Sequence, residues 1–140
     1  MSAKAPQESA ALARHAPIVE ALATFPGIRQ AILFGSVATG AAGPESDLDI
    51  GVEAERPLTD EQRMRLIEAL AVATGRPVDL IDLRAAGQPL LGEILKTGVR
   101  LFGDNEDYAR LIFRNILDRE DFLPYHNRIL KERREAWLNR

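Results

Sequence analysis

Ile28-Arg29-Gln30-Ala31-Ile32-Leu33-Phe34-Gly35-Ser36 is an apolar run that stops abruptly on glycine and serine. Ten residues later comes Asp47-Leu48-Asp49-Ile50-Gly51-Val52, which alternates polar and apolar positions. The first stretch has the length and content of a buried strand. The second predicts a strand with one wet face and one dry face. Side chains at i and i+2 of a strand share a face, so Asp47 and Asp49 aim two carboxylates into one volume. Two adjacent carboxylates repel, and each raises the other's pKa. A divalent cation removes that repulsion.

Working outward, Leu12, Val19 and Leu22 mark a helical stripe over residues 8–23, which Pro17 should kink or split into two short helices. Residues 1–7 are expected to fray, and Phe25-Pro26-Gly27 is a stop. Val37 to Gly40 predicts one helical turn, followed by a loop through Pro44. Thr59 or Asp60 caps a helix whose apolar stripe is Met64, Ile67, Leu70 and Ala71 and which Gly75 ends. Pro77 to Leu83 is a third strand. Leu90, Leu91, Ile94 and Leu95 mark a helix closed by Gly98, and Val99 to Phe102 is a fourth strand. From Asn105 onward the pattern is helical.

The expected fold class is therefore α/β, a small mixed sheet of about four strands with flanking helices and a helical C-terminal extension. Residues 1–103 form the core. Residues 104–140 form the extension, which packs on the core and on a partner. That extension segregates its charge: 104–121 carry six acids and three bases, 126–140 five bases and two acids. Solvation of a helical face accounts for such a pattern. Phe113, Phe122, Tyr125 and Trp137 beside arginines add the reading of a docking arm.

Composition narrows the chemistry. The chain has 140 residues, 46% hydrophobic and 28% charged, which is ordinary for a globular domain and excludes wholesale disorder. There is no cysteine, so disulfides, a thiolate metal site and a Cys nucleophile are out. His15 and His126 are the only imidazoles, so a metal must be held by carboxylates, which points to Mg²⁺ or Mn²⁺. A net charge of −3 argues against direct nucleic-acid binding. No apolar run approaches a membrane span, and the first residues lack the apolar stretch of a secretory leader, so a cytoplasmic location is expected.

Asp79 extends the carboxylate pair. It lies between Val78 and Leu80 on the third predicted strand, and on a neighbouring strand it would complete a three-carboxylate cup or serve as base toward an acceptor hydroxyl. Gly35 lets a backbone approach phosphate closely, and the N–H groups that open a helix suit an anion. Ser36 adds a hydroxyl donor. Each part alone has a plain reading: a Gly-Ser turn, a solvated Asp-x-Asp edge, an edge charge. Their conjunction describes a nucleoside triphosphate site. Asp82, facing away from Asp79, fits a cap or a solvent position.

Gly35-Ser36, ten residues, then Asp47-Leu48-Asp49 resembles the signature of the DNA polymerase β-like nucleotidyltransferase superfamily. The string Phe34 to Gly40, with Pro44 to Ile50, is similar to the minimal nucleotidyltransferase (MNT) antitoxins of HEPN–MNT toxin–antitoxin pairs. The likeness covers residues 28–103 well. It implies an antitoxin that transfers AMP from ATP to a tyrosine of a partner HEPN ribonuclease toxin and inactivates it. Gly35 and Ser36 would bind the nucleotide. Asp47, Asp49 and Asp79 would be catalytic and hold Mg²⁺, with a hetero-oligomer as the working assembly. Thr39 departs from the pattern, because many relatives have Arg there. The alternatives are a non-catalytic antitoxin that inhibits by binding alone, and a small-molecule nucleotidyltransferase, for which the chain leaves little acceptor domain. Arg119 and His126 imitate the Arg-to-His spacing of HEPN ribonucleases, but the chain has no room for a second domain of that kind.

Overall fold

A computed structural model describes residues 13–119. The elements are α1 (Ala16–Ala23), β1 (Ile28–Phe34), α2 (Gly35–Thr39), β2 (Leu48–Ala54), α3 (Asp60–Thr74), β3 (Val78–Asp82), α4 (Leu90–Thr97) and β4 (Val99–Gly103). A further helix, α5, runs over 105–119. The sheet order is β3-β2-β1-β4. β1 is antiparallel to β2 and to β4, while β2 and β3 are parallel. The expected α/β class and four-strand mixed sheet are what the structure has. The predicted start of the first helix at residues 8–12 lies outside the described residues, as do Phe122, Tyr125, His126 and Trp137.

Strand alternation divides the core in two. Ala31, Leu33, Leu48, Ile50, Val52, Leu80 and Leu101 project to one face, where α1 brings Ile18 and Leu22 and α3 brings Leu66 and Leu70. On the other face Ile32 meets Leu83 and Ala86, with Leu91 and Ile94 of α4 and Leu111 of α5. The α3 crossover joins the parallel strands β2 and β3, and it is well punctuated. Thr59 Oγ accepts from the Gln62 N–H at 3.1 Å while the Thr59 N–H donates to Gln62 Oε1 at 3.0 Å, a complete capping box. Gly75 closes the helix in the left-handed conformation.

Two sequence expectations are corrected. Met64 is not in the apolar stripe of α3; it is 70% exposed, and Leu66 is buried in its place. Leu66 and Leu70, one turn apart, define the buried face, and α1 covers only that side. Nor is β2 wet on one face: every residue from Ile50 to Ala54 is buried. The cause is the sequence of that face, Asp49-Gly51-Glu53. Gly51 leaves the space into which Leu83 packs, since a Cβ there would stand 2.6 Å from Leu83 Cδ2. Buried Glu53 accepts a 2.8 Å hydrogen bond from Gln30 Nε2 on β1, so it needs no water. Only the Asp49 end of the face stays open.

α5 is tied to the sheet from its first turn. Buried Asp107 pairs through Oδ1 with Arg29 of β1 at 3.1 Å and with Arg110 at 2.9 Å. Both are ion pairs without aligned hydrogen-bond geometry. One turn on, Leu111 enters the core, and Arg114 donates to the carbonyls of Leu83, Arg84 and Ala86. Residues 105–119 thus pack on the sheet, while Ile112, Phe113, Ile116 and Leu117 point outward.

Both arginines facing Asp107 are partly exposed, so solvent screening limits what the cluster contributes. Asp107→Ala is expected to lower unfolding stability by about 1–2 kcal/mol. A double-mutant cycle with Arg29→Ala, read by urea denaturation, should return a coupling energy clearly above zero.

Candidate active site

β1 ends at Phe34, and the chain turns at Gly35 with φ +71. That value is strained for any side chain. Space forbids one as well: a Cβ on Gly35 would overlap Oδ2 of Asp49 and stand 3.0 Å from its Cγ. Gly35 therefore lies directly against the Asp49 carboxylate, and this close approach joins the Gly-Ser turn to the acidic strand. Helix α2 follows and ends at left-handed Gly40.

The loop 41–47 returns the chain to β2. Ser46 Oγ accepts from the Gly43 N–H at 2.9 Å, and the Ser46 N–H donates to the Gly43 carbonyl at 3.2 Å. Asp47 sits one residue before β2 and is exposed. Asp49 is half-buried on β2, opposite Phe34 of β1 on one side and opposite Asp79 of β3 on the other. Sheet register thus brings Asp49 and Asp79 side by side, with Asp47 two residues back on the same strand path. Asp82 lies apart and accepts from the Arg84 N–H in the turn after β3.

The carboxylates feel one another. Asp49 has its pKa raised, first by burial, then by the charges of Asp79 and Asp47, and by a side-chain hydrogen bond with Asp79. Such a cluster is costly until a cation or a proton neutralises it. Its donors are hard oxygens, the kind Mg²⁺ and Mn²⁺ prefer. Among the described residues no three acidic or histidine side chains already stand together as a complete metal cage. Mg²⁺ ordinarily takes one or two protein carboxylates and completes its shell with water and substrate phosphate.

Two features went unread in the sequence. One is the steric fit of Gly35 over Asp49, which depends on sheet register. The other is Arg76, in the short connection between α3 and β3. Its Nη1 donates to the carbonyls of Gly43 at 2.7 Å and Ser46 at 3.0 Å, and so grips the loop that carries Asp47. An arginine in a three-residue helix-to-strand connection was the available signal. Thr39, which replaces the expected Arg, donates its hydroxyl to the Ser36 carbonyl at 3.3 Å within α2.

Comparison with known proteins identifies the class that this arrangement defines. Residues 17–107 match the family described as Polymerase beta, Nucleotidyltransferase, and the chain belongs to that family. It is 37% identical over 83 residues to Protein adenylyltransferase MntA of Shewanella oneidensis, a match covering 59% of this chain and 60% of that relative's length. A crystal structure of a toxin–antitoxin with AMP-PNP superposes with a TM-score of 0.73 at 29% identity, covering 84% of this chain and 95% of the other. A structure of tri-AMPylated Shewanella oneidensis HEPN toxin in complex with MNT antitoxin gives 0.67 at 25% identity, over 89% and 97%.

Two outcomes are expected of substitutions here. Gly35→Ala should displace the Asp49 carboxylate and cost about 1–2 kcal/mol in the left-handed backbone alone, visible as a lowered melting temperature. Asp49→Asn should act oppositely. Because the Asp49 pKa is raised on folding, the folded chain keeps a proton that the unfolded chain has already released. The stability due to this group is full below the ordinary carboxylate pKa and is lost as pH rises through the raised one. In EDTA at neutral pH, Asp49→Asn should therefore melt at or above the wild type, and the gap should close toward acid. Melting curves across pH check this.

Proposed function

We propose that this chain is an antitoxin that transfers AMP from ATP, with Mg²⁺, to a tyrosine of a partner HEPN-type ribonuclease toxin in the cytoplasm and so inactivates it. The carrying observation is the placement of Gly35 against Asp49, with Asp79 in register beside it. A backbone that reaches phosphate and a carboxylate pair that needs a cation meet at one sheet end. Family membership and the likeness to toxin–antitoxin complexes support the acceptor class.

In this reading Gly35 and Ser36 bind triphosphate oxygens through backbone N–H groups and the serine hydroxyl. Asp47 and Asp49 would hold Mg²⁺, with Asp79 either a third ligand or the base toward the acceptor, and the ion would supply neutralisation of the triphosphate charge. The tyrosine oxygen attacks the α-phosphorus in line. A new O–P bond forms, the bond from the α-phosphorus to the bridging oxygen breaks, and pyrophosphate leaves. Asp79 is exposed at the edge of the cluster, which supports it as the group that takes the tyrosine proton where it is not a metal ligand. The outward apolar residues of α5, Ile112, Phe113, Ile116 and Leu117, support a partner-binding role for the extension over 104–140, with 1–103 as the nucleotidyltransferase core. Among the described residues no helix is long and apolar enough to cross a membrane.

One observation favours a second reading, inhibition by binding alone. Thr39 spends its hydroxyl inside α2 and brings no charge to the phosphates where relatives carry Arg. Co-expression with the partner separates the two. Transfer predicts partner masses increased by whole adenylyl units, and Asp49→Asn should reduce that modification at least ~100-fold while the complex still forms. An unmodified but inhibited partner would establish binding alone.

A further inference from the structure

We infer that Arg76 is a positioning residue for Asp47, holding the carboxylate in place through the backbone of the loop that carries it. The inference rests on the assignment of Asp47 to the metal-nucleotide site. The Ser46 carbonyl belongs to the planar peptide unit that leads into Asp47, so fixing that plane limits how Asp47 can rotate. Arg76 Nη1 fixes it at 3.0 Å and holds the Gly43 carbonyl at 2.7 Å from the same nitrogen. On the far side of Asp47, the Leu48 N–H donates to the Pro77 carbonyl at 2.8 Å, and the Leu48 side chain is fully buried. Asp47 is thus strung between two anchors supplied by adjacent residues, 76 and 77.

Arg76 is itself held. Its backbone N–H donates to Thr74 Oγ at 3.3 Å, and Thr74 Oγ donates to the Leu70 carbonyl at 2.8 Å, so the backbone of residue 76 is referenced to the end of α3. Asp47 itself is exposed. The Arg76 guanidinium makes hydrogen bonds to the loop backbone, so its effect on Asp47 runs through that backbone. Outer partners of metal ligands that act this way typically change metal affinity 10–100-fold when removed.

The test uses the full chain and Mn²⁺, followed by electron paramagnetic resonance in the presence of AMP-PNP, with no transfer reaction required. Arg76→Ala should weaken Mn²⁺ binding about tenfold or more. Backbone amides of residues 44–48 should exchange hydrogen faster, while those of α3 keep their protection. If Arg76→Ala does not fold, Arg76→Gln, which keeps a polar stem but loses the charged fork, is scored in the same way. Wild-type binding that the variant leaves unchanged overturns this inference alone. A wild-type chain that binds no Mn²⁺ with AMP-PNP overturns the metal-site reading and this inference with it.

Discussion

Asp49 beside Asp79, on parallel strands and in register, is the constraint around which the molecule is arranged. Two carboxylates at paired positions, one of them half-buried, destabilise the folded chain wherever both are ionised. A sequence optimised for stability alone would place a β-branched residue at one of these positions. The strain is local and electrostatic, and a bound cation relieves it. A cluster of this kind therefore couples folding free energy to occupancy of the site, because a ligand that binds only the folded state stabilises it.

The remainder of the fold supplies the stiffness that lets the pair persist. β2 is sandwiched between β1 and β3 and covered on both faces, so its backbone cannot yield to the repulsion. Gly51 and Glu53 continue the face of Asp49 inward, one by admitting Leu83 and the other by bonding Gln30. These two devices seal the face behind the site and leave only its end open. The α3 helix, capped at both ends, sets β3 against β2 in the register that pairs Asp79 with Asp49. α5 adds Leu111, Asp107 and Arg114 to the far side, and Arg114 satisfies three carbonyls of the turn that follows β3.

Much of this was legible in the residues. Strand and helix order followed from apolar periodicity and from glycine and proline punctuation, because those signals are local. Gly35, Asp47, Asp49 and Asp79 stood out by their spacing along the chain; Asp49 and Asp79 lie on strands, Asp47 one residue before β2 and Gly35 in the turn after β1. What could not be read was long-range. Met64 looked like core because three- and four-residue spacing admits two neighbouring stripes, and only the position of α1 selects Leu66 and Leu70. The Asp49-Gly51-Glu53 face looked wet because it carries no apolar side chain; its dryness comes from Leu83 and Gln30, distant in sequence. The contact of Gly35 with Asp49 and the reach of Arg76 to Gly43 and Ser46 depend equally on register.

Thr39 and Arg76 together show how charge is distributed around the site. Thr39, in the turn of α2, is neutral and turned inward to the helix backbone. Arg76, the cation that grips the adjoining loop, is engaged with two carbonyls, so its donors face the protein rather than a ligand. Anion binding by Gly35 and Ser36, as proposed, would draw on backbone dipoles and a hydroxyl. These orient an anion well but neutralise it incompletely, since a guanidinium brings a full charge and a hydroxyl none. The acidic cluster makes matters worse for a bare triphosphate. A cation that arrives with the nucleotide would supply that missing charge.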